Sequence, residues 1–122
     1  MSSNRLNIGR RGEDIAAVYL EHQGYQIITR NYRTRLGEID IIARDKSSIV
    51  FIEVKSKTGK GFGLPVSAVT LKKQRQISKV ALFYLSKHGL ADSPARFDVV
   101  SVQFSGRSSE VELITDAFEL CY

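Results

Sequence analysis

Two short acidic motifs lie close together in this chain: Gly37-Glu38-Ile39-Asp40, and Glu53-Val54-Lys55 at the end of the apolar run Ile49-Val50-Phe51-Ile52. Four consecutive apolar positions require burial on both faces, which predicts a central strand. Glu53 then sits where an ionised carboxylate is tolerated only if it is paired, hydrogen-bonded or bound to a metal. Alternation places Glu53 and Lys55 on one face of their strand and Glu38 and Asp40 on one face of theirs, so antiparallel pairing would gather all four. Two acids and a lysine converging are the makeup of a divalent-metal hydrolase site.

Each acid also has a plainer explanation. Asp40, flanked by Ile39, Ile41 and Ile42, would form a structural salt bridge with Lys55. Glu38 would be exposed or pair with Arg35. Glu13 falls in the first turn of an expected helix, where a carboxylate answers the helix dipole, as Asp14 beside it would. Asp98 is the odd acid of a later apolar strand. It is expected to anchor Arg96 or a basic helix and is not placed in the site.

The elements that must position these residues can be read from periodicity and punctuation. Ile8, Gly12, Ile15, Ala16, Tyr19 and Leu20 recur at helical spacing, which predicts a helix over 9–23 ended by Gly24. Strands follow at 25–33, 37–43 and 49–56, with 44–48 as the turn of the acid-bearing hairpin. Thr70 caps a second helix running to about His88, buried along Ile77, Val80, Ala81, Tyr84 and Leu85. A strand over 97–104 and a shorter one over 111–115 complete the order. Thr58-Gly59-Lys60-Gly61-Phe62-Gly63 superficially suggests a nucleotide-binding loop. It lacks the Ser or Thr that must follow Gly-Lys, and Pro65 stands where a helix would begin.

Composition narrows the class. A chain of 122 residues, 43% hydrophobic, suits a single domain over 1–122 with one core. The first five residues lack the apolar segment of a secretory signal, and apolar runs are too short to span a bilayer, which predicts a soluble cytoplasmic protein without a membrane partner. Cys121 is the one cysteine, so no internal disulfide forms. With only His22 and His88 besides, no zinc-ligand spacing can be drawn. Any metal is expected to be oxygen-bound. The net charge of +5 is unevenly distributed: residues 54–91 hold eight Lys or Arg and no acid. Lys57 and Lys60 of the glycine-rich loop, with Lys72, Lys73, Arg75 and Lys79 on the second helix, form a distribution suited to nucleic acid.

Gly12-Glu13, Gly37-Glu38-Ile39-Asp40, Phe51-Ile52-Glu53-Val54-Lys55, Phe62-Gly63-Leu64-Pro65 and Ala68-Val69 together resemble the YraN family of small bacterial proteins. That family is similar to the archaeal Holliday-junction resolvases of the restriction-endonuclease-like superfamily, whose site motif is written PD-(D/E)xK. The resemblance implies an α/β fold with a three-layer core: a mixed central sheet with flanking helices in the order α-β-β-β-α-β, plus a short C-terminal strand. It implies that Asp40 is the motif's aspartate, Glu53 its second acid and Lys55 its lysine, with Ile39 where the motif writes proline. Glu13 matches the glutamate given by the first helix in the resolvase branch, and the Val54 carbonyl is implied as a metal ligand. The resolvase likeness is compatible with a homodimer.

The chemistry expected is hydrolysis of DNA phosphodiesters. Hard oxygen ligands from Asp40 and Glu53 select magnesium or manganese, which retain waters when held by one or two carboxylates. Lys55 would orient a water or neutralise a phosphate oxygen. The alternative is a non-catalytic nucleic-acid-binding module that keeps the nuclease fold.

Overall fold

The computed structural model describes residues 2–59 and 69–122, with side chains from Asn7 onward. The element order is α1 (Ser2–His22), β1 (Gln26–Thr34), β2 (Gly37–Asp45), β3 (Ser48–Thr58), α2 (Leu71–Lys87), β4 (Ala95–Ser105) and β5 (Ser108–Phe118). The strands form one sheet in the order β1-β2-β3-β4-β5, antiparallel throughout except for β3 and β4, which run parallel. The parallel pair requires a crossover, and α2 lies in the connection. This is the three-layer α/β arrangement the residues imply, helix on sheet on helix.

Each helix covers one face of the sheet. Ala16, Ala17 and Leu20 of α1 pack with Ile41, Val50, Ile52, Val100 and Val102. Ile77, Val80, Ala81, Tyr84 and Leu85 of α2 pack with Ile42, Ile49, Phe51, Phe97 and Val99. Val50 and Phe51 thus belong to opposite cores, which is the two-sided burial expected of a strand with continuous apolar residues. Thr70 caps α2 as its type predicts, with its hydroxyl accepting from the Lys73 N–H at 3.1 Å. His88 ends that helix.

Strand ends fall one or two residues from the expected bounds, β2 running to Asp45 inside the expected turn, and three differences are larger or move a candidate residue. Helix α1 begins at Ser2 rather than Gly9, because Leu6 is the one apolar residue between Ser2 and Ile8 and sets no apolar period to announce it. Lys57 lies inside β3, which runs to Thr58, and not in a loop. Its pairing with Gln103 extends the β3–β4 ladder past the hydrophobic segment. The C-terminal strand is a full 11 residues, Ser108–Phe118. It is an edge strand whose outer part, Ser108 to Glu110, is exposed, so only its centre shows an apolar signal. Lys60 and the residues Phe62-Gly63-Leu64-Pro65 and Ala68 lie outside the described residues. Among the described residues no helix is long and apolar enough to cross a membrane.

Candidate metal centre

The acids meet where β2 and β3 part. Pairing between these strands runs from Asp45↔Ser48 to Ile41↔Ile52 and ends there, so Asp40 and Glu53 stand just past the last rung. Asp40 uses the opening. Its Oδ2 accepts the Val54 N–H at 2.8 Å, which fixes the carboxylate against the strand that carries Glu53. Glu53 is 5% exposed. Lys55 Nζ lies 3.5 Å from Glu53 Oε2, and Lys73 Nζ reaches the same oxygen at 3.9 Å from α2. The salt bridge of Lys55 is therefore with Glu53 and not with Asp40.

Burial pushes the Glu53 carboxyl up to about 7, and the neighbouring Asp40 carboxylate adds to the rise, by charge and by a shared hydrogen bond. Lys73 and Lys55 oppose that rise only in part. Two lysines beside one glutamate would ordinarily hold it ionised. That Glu53 stays high shows that desolvation and the second carboxylate outweigh them.

Glu13 reaches the same region from α1. Its carboxyl is also raised, by burial first and by Asp40 second, while Arg30 and the Asn31 side chain favour its charged form. Arg30 lies 3.8 Å from Glu13 and 2.8 Å from Asp14. A cavity of about 410 Å³ opens beside it, lined by Ile8, Gly9, Glu13, Asp40, Val54, Ser56, Lys57 and Thr58. Helix α1 comes this close because Gly12 has no side chain: a Cβ there would fall 1.8 Å from Ser56 Oγ.

The structure thus brings together Asp40, Glu53, Lys55 and, across the cavity, Glu13. Val54 and Lys57 line the same space. Glu38 stands at the edge of this group: its charge adds to the rise of the Glu13 carboxyl, and its ion pair is with Arg33 at 3.1 Å rather than with Arg35. Lys73, expected on a phosphate-binding face, turns instead toward Glu53, while Lys72, Arg75 and Lys79 stay exposed on α2. Asp98 is remote from the centre in role. It is fully buried, accepts from Tyr25 Oη at 2.7 Å and from Arg96 Nε at 3.0 Å, and Arg96 continues to Asp45 at 2.8 Å. Anchoring Arg96 is one of the two roles its sequence position suggests. Asn31 and Arg30 were not legible as neighbours of Glu13. The available signal was an asparagine, a poor strand former, inside a run of strand-forming residues.

These residues fit an oxygen-bound divalent cation. The donor set is two carboxylates pressed together under burial, a charge arrangement that a cation between them would relieve. Among the described residues no three His, Cys, Asp or Glu side chains close on one point. A cation here would then take only Asp40 and Glu53 as side-chain ligands, the low protein-ligand count usual for magnesium.

A mixed five-stranded sheet between two helices, with acids gathered where its second and third strands separate, makes this an α/β protein with the three-layer core that the resemblance implies. The family model described as "Uncharacterised protein family UPF0102" matches residues 12–102. A UPF0102 protein of Geobacter metallireducens is 52% identical over 122 residues, all of both chains. One from Syntrophus aciditrophicus is 52% identical over 120 residues, 98% of this chain and 94% of its own, and one from Geobacter sulfurreducens is 53% identical over 116 residues, 94% and 91%. The chain belongs to the UPF0102 family, the YraN family.

Proposed function

We propose that this chain is a magnesium- or manganese-dependent endonuclease of the cytoplasm that hydrolyses phosphodiester bonds in branched or otherwise structured DNA. The observation that carries this reading is the buried Glu53 carboxyl set against Asp40, with two lysine ammonium groups within 4 Å of it. Such a cluster is costly to the fold unless a cation or a reaction makes use of it. Asp40 and Glu53, with the Val54 carbonyl, would hold the metal. A divalent cation so held supplies a water of lowered pKa and offsets charge on the phosphodiester.

The chain's own groups do the rest. Lys55 is placed to neutralise a phosphate oxygen or to orient the attacking water. Lys73 flanks the same carboxylate and adds positive charge where the scissile phosphate would approach. Glu13, facing the cavity, accepts a hydrogen bond from water and so sets its direction. Lys57 at the cavity and the exposed Lys72, Arg75 and Lys79 hold the DNA backbone on either side, and Lys60 belongs to this track by sequence.

The test is incubation of purified protein with linear, single-stranded, flapped and four-way DNAs plus magnesium or manganese. Cleavage of at least one structured substrate is expected. Lys55→Ala should keep metal binding and lose rate by 10²-fold or more, on the order expected when one charge-stabilising donor is removed. Binding to DNA with no cleavage of any substrate would instead support the non-catalytic binding module.

A further inference from the structure

We propose that Arg11 and Lys57 form a phosphate subsite at the rim of the cavity beside α1, and that this cavity takes one unpaired nucleotide of the bound DNA. The subsite rests on the nucleic-acid part of the function proposed above and not on turnover. It is built at the far end of the β3–β4 ladder, where Thr58 pairs with Phe104 so that their side chains share a face. Phe104 belongs to the core beneath α1. Gly12 lets the helix settle on this spot, since a Cβ there would lie 1.8 Å from Ser56 Oγ and 3.9 Å from Phe104 Cε2. The preceding residue, Arg11, lays its guanidinium over the Phe104 ring, 4.8 Å from the centroid. Arg11 thus stands beside Thr58, which lines the cavity with Lys57. Asp40 comes from β2, and β3 lies between β2 and β4, so Arg11 and the acid flank the cavity from opposite sides of β3.

Two features give this arrangement a ligand. Covering Phe104, which is 5% exposed, needs only the aliphatic stem of Arg11. The residue stays exposed, and among the described residues neither Arg11 nor Lys57 has an ion pair, whereas Arg30, Arg33, Lys55, Lys73 and Arg96 are each committed to an acid. Stacking on a ring fixes the guanidinium plane and leaves its N–H fork for a phosphate. The second feature is the space itself. At about 410 Å³, with Ile8 for an apolar wall and hydroxyl residues Ser56 and Thr58, it is at the small end of ligand sites. That is room for one nucleotide. A base paired inside a duplex reaches such a space only by leaving its stack, which costs least where it is already unpaired. Flapped and branched DNA therefore enter more readily than a continuous duplex.

The test is equilibrium binding of fluorescent oligonucleotides by anisotropy across a salt series, with a single strand, a blunt duplex and the same duplex carrying a single-stranded flap. Calcium replaces magnesium, so that binding is read without the octahedral geometry magnesium demands. Arg11→Met keeps a long apolar stem over Phe104 and should melt close to wild type. It should bind the single strand and the flapped duplex about tenfold more weakly, the low end for a hydrogen bond to a charged group. The single-strand salt slope should fall by about 0.7, one phosphate contact, while the blunt duplex binds nearly as before. Lys57→Met should behave alike. Arg10→Met removes the same charge from the exposed neighbour that does not line the cavity, and it should leave all three affinities near wild type. Equal losses on blunt and flapped duplex would overturn the nucleotide pocket. No loss in Arg11→Met, or the same loss in Arg10→Met, would overturn the subsite and leave Arg11 as cover for Phe104. A wild type that binds none of these DNAs would refute the nucleic-acid reading and the subsite together, whereas binding without cleavage in magnesium would refute turnover alone.

Discussion

Glu53 makes the chemistry of the centre measurable without any substrate. Folded, its carboxyl keeps its proton up to about 7, whereas an unfolded glutamate releases it near 4.5. The metal-free protein therefore has this contribution in full below pH 4.5 and loses it as the pH rises through 7, a decline on the order of 3 kcal/mol. Denaturant unfolding between pH 4.5 and 8 should show that decline in wild type and a much shallower one in Glu53→Gln. A flat wild-type profile would mean that Glu53 is ionised and fully compensated by Lys55 and Lys73. Asp40→Asn should leave the metal-free protein as stable as wild type or more so, since it removes one of two repelling carboxylates. Asp98→Ala should behave oppositely. It strands Arg96 and Tyr25 in a buried network, which costs about 3–5 kcal/mol, and it should leave manganese affinity unchanged in whatever fraction stays folded. Asp40, Glu53 and Lys55 were legible in the sequence because charges inside apolar strands are expensive and must be explained. The inward turn of Lys73 was not, since it depends on where α2 crosses the sheet.

At the level of elements, the centre exists because α1 can lie almost against β3. Gly12 allows that approach, and an added methyl group would meet Ser56 Oγ. Gly12→Ala should destabilise by about 1–3 kcal/mol, the range for overpacking, and weaken manganese binding by pressing on β3 at Ser56, beside Glu53 and Val54. Ser56→Gly in the same chain should restore much of both, as read by melting temperature and calorimetry. No recovery would place the strain elsewhere in α1. The order of helices and strands was legible from periodicity, because both helices have one clear buried stripe and β3 is apolar on both faces. The length of β5 was not. Its outer residues are exposed at a sheet edge, where strand pairing to β4 leaves no imprint of alternation.

Over the whole molecule, charge separates into a basic segment and an acidic C-terminal strand. The region 54–91 holds eight basic residues and no acid, and 92–122 holds two basic residues and six acids. DNA should approach from the side of α2 and the β2–β3 opening and avoid β5. Affinity for duplex DNA should fall steeply with salt. Lys72→Ala with Lys79→Ala should flatten the log-log slope by up to about two, near 0.9 for each phosphate that is no longer neutralised. An unchanged slope would put the DNA on another face.

If Asp40 and Glu53 jointly hold one divalent cation, saturating manganese should raise the melting temperature through those two carboxylates. At a hundredfold excess over the dissociation constant, binding to the native state adds about 2.7 kcal/mol, or roughly 10 °C for a domain of this size. Wild type should show that rise, and Asp40→Asn and Glu53→Gln should each show little of it while remaining folded. An equal rise in all three proteins would place the manganese elsewhere, and no rise in wild type would leave the two carboxylates without a cation.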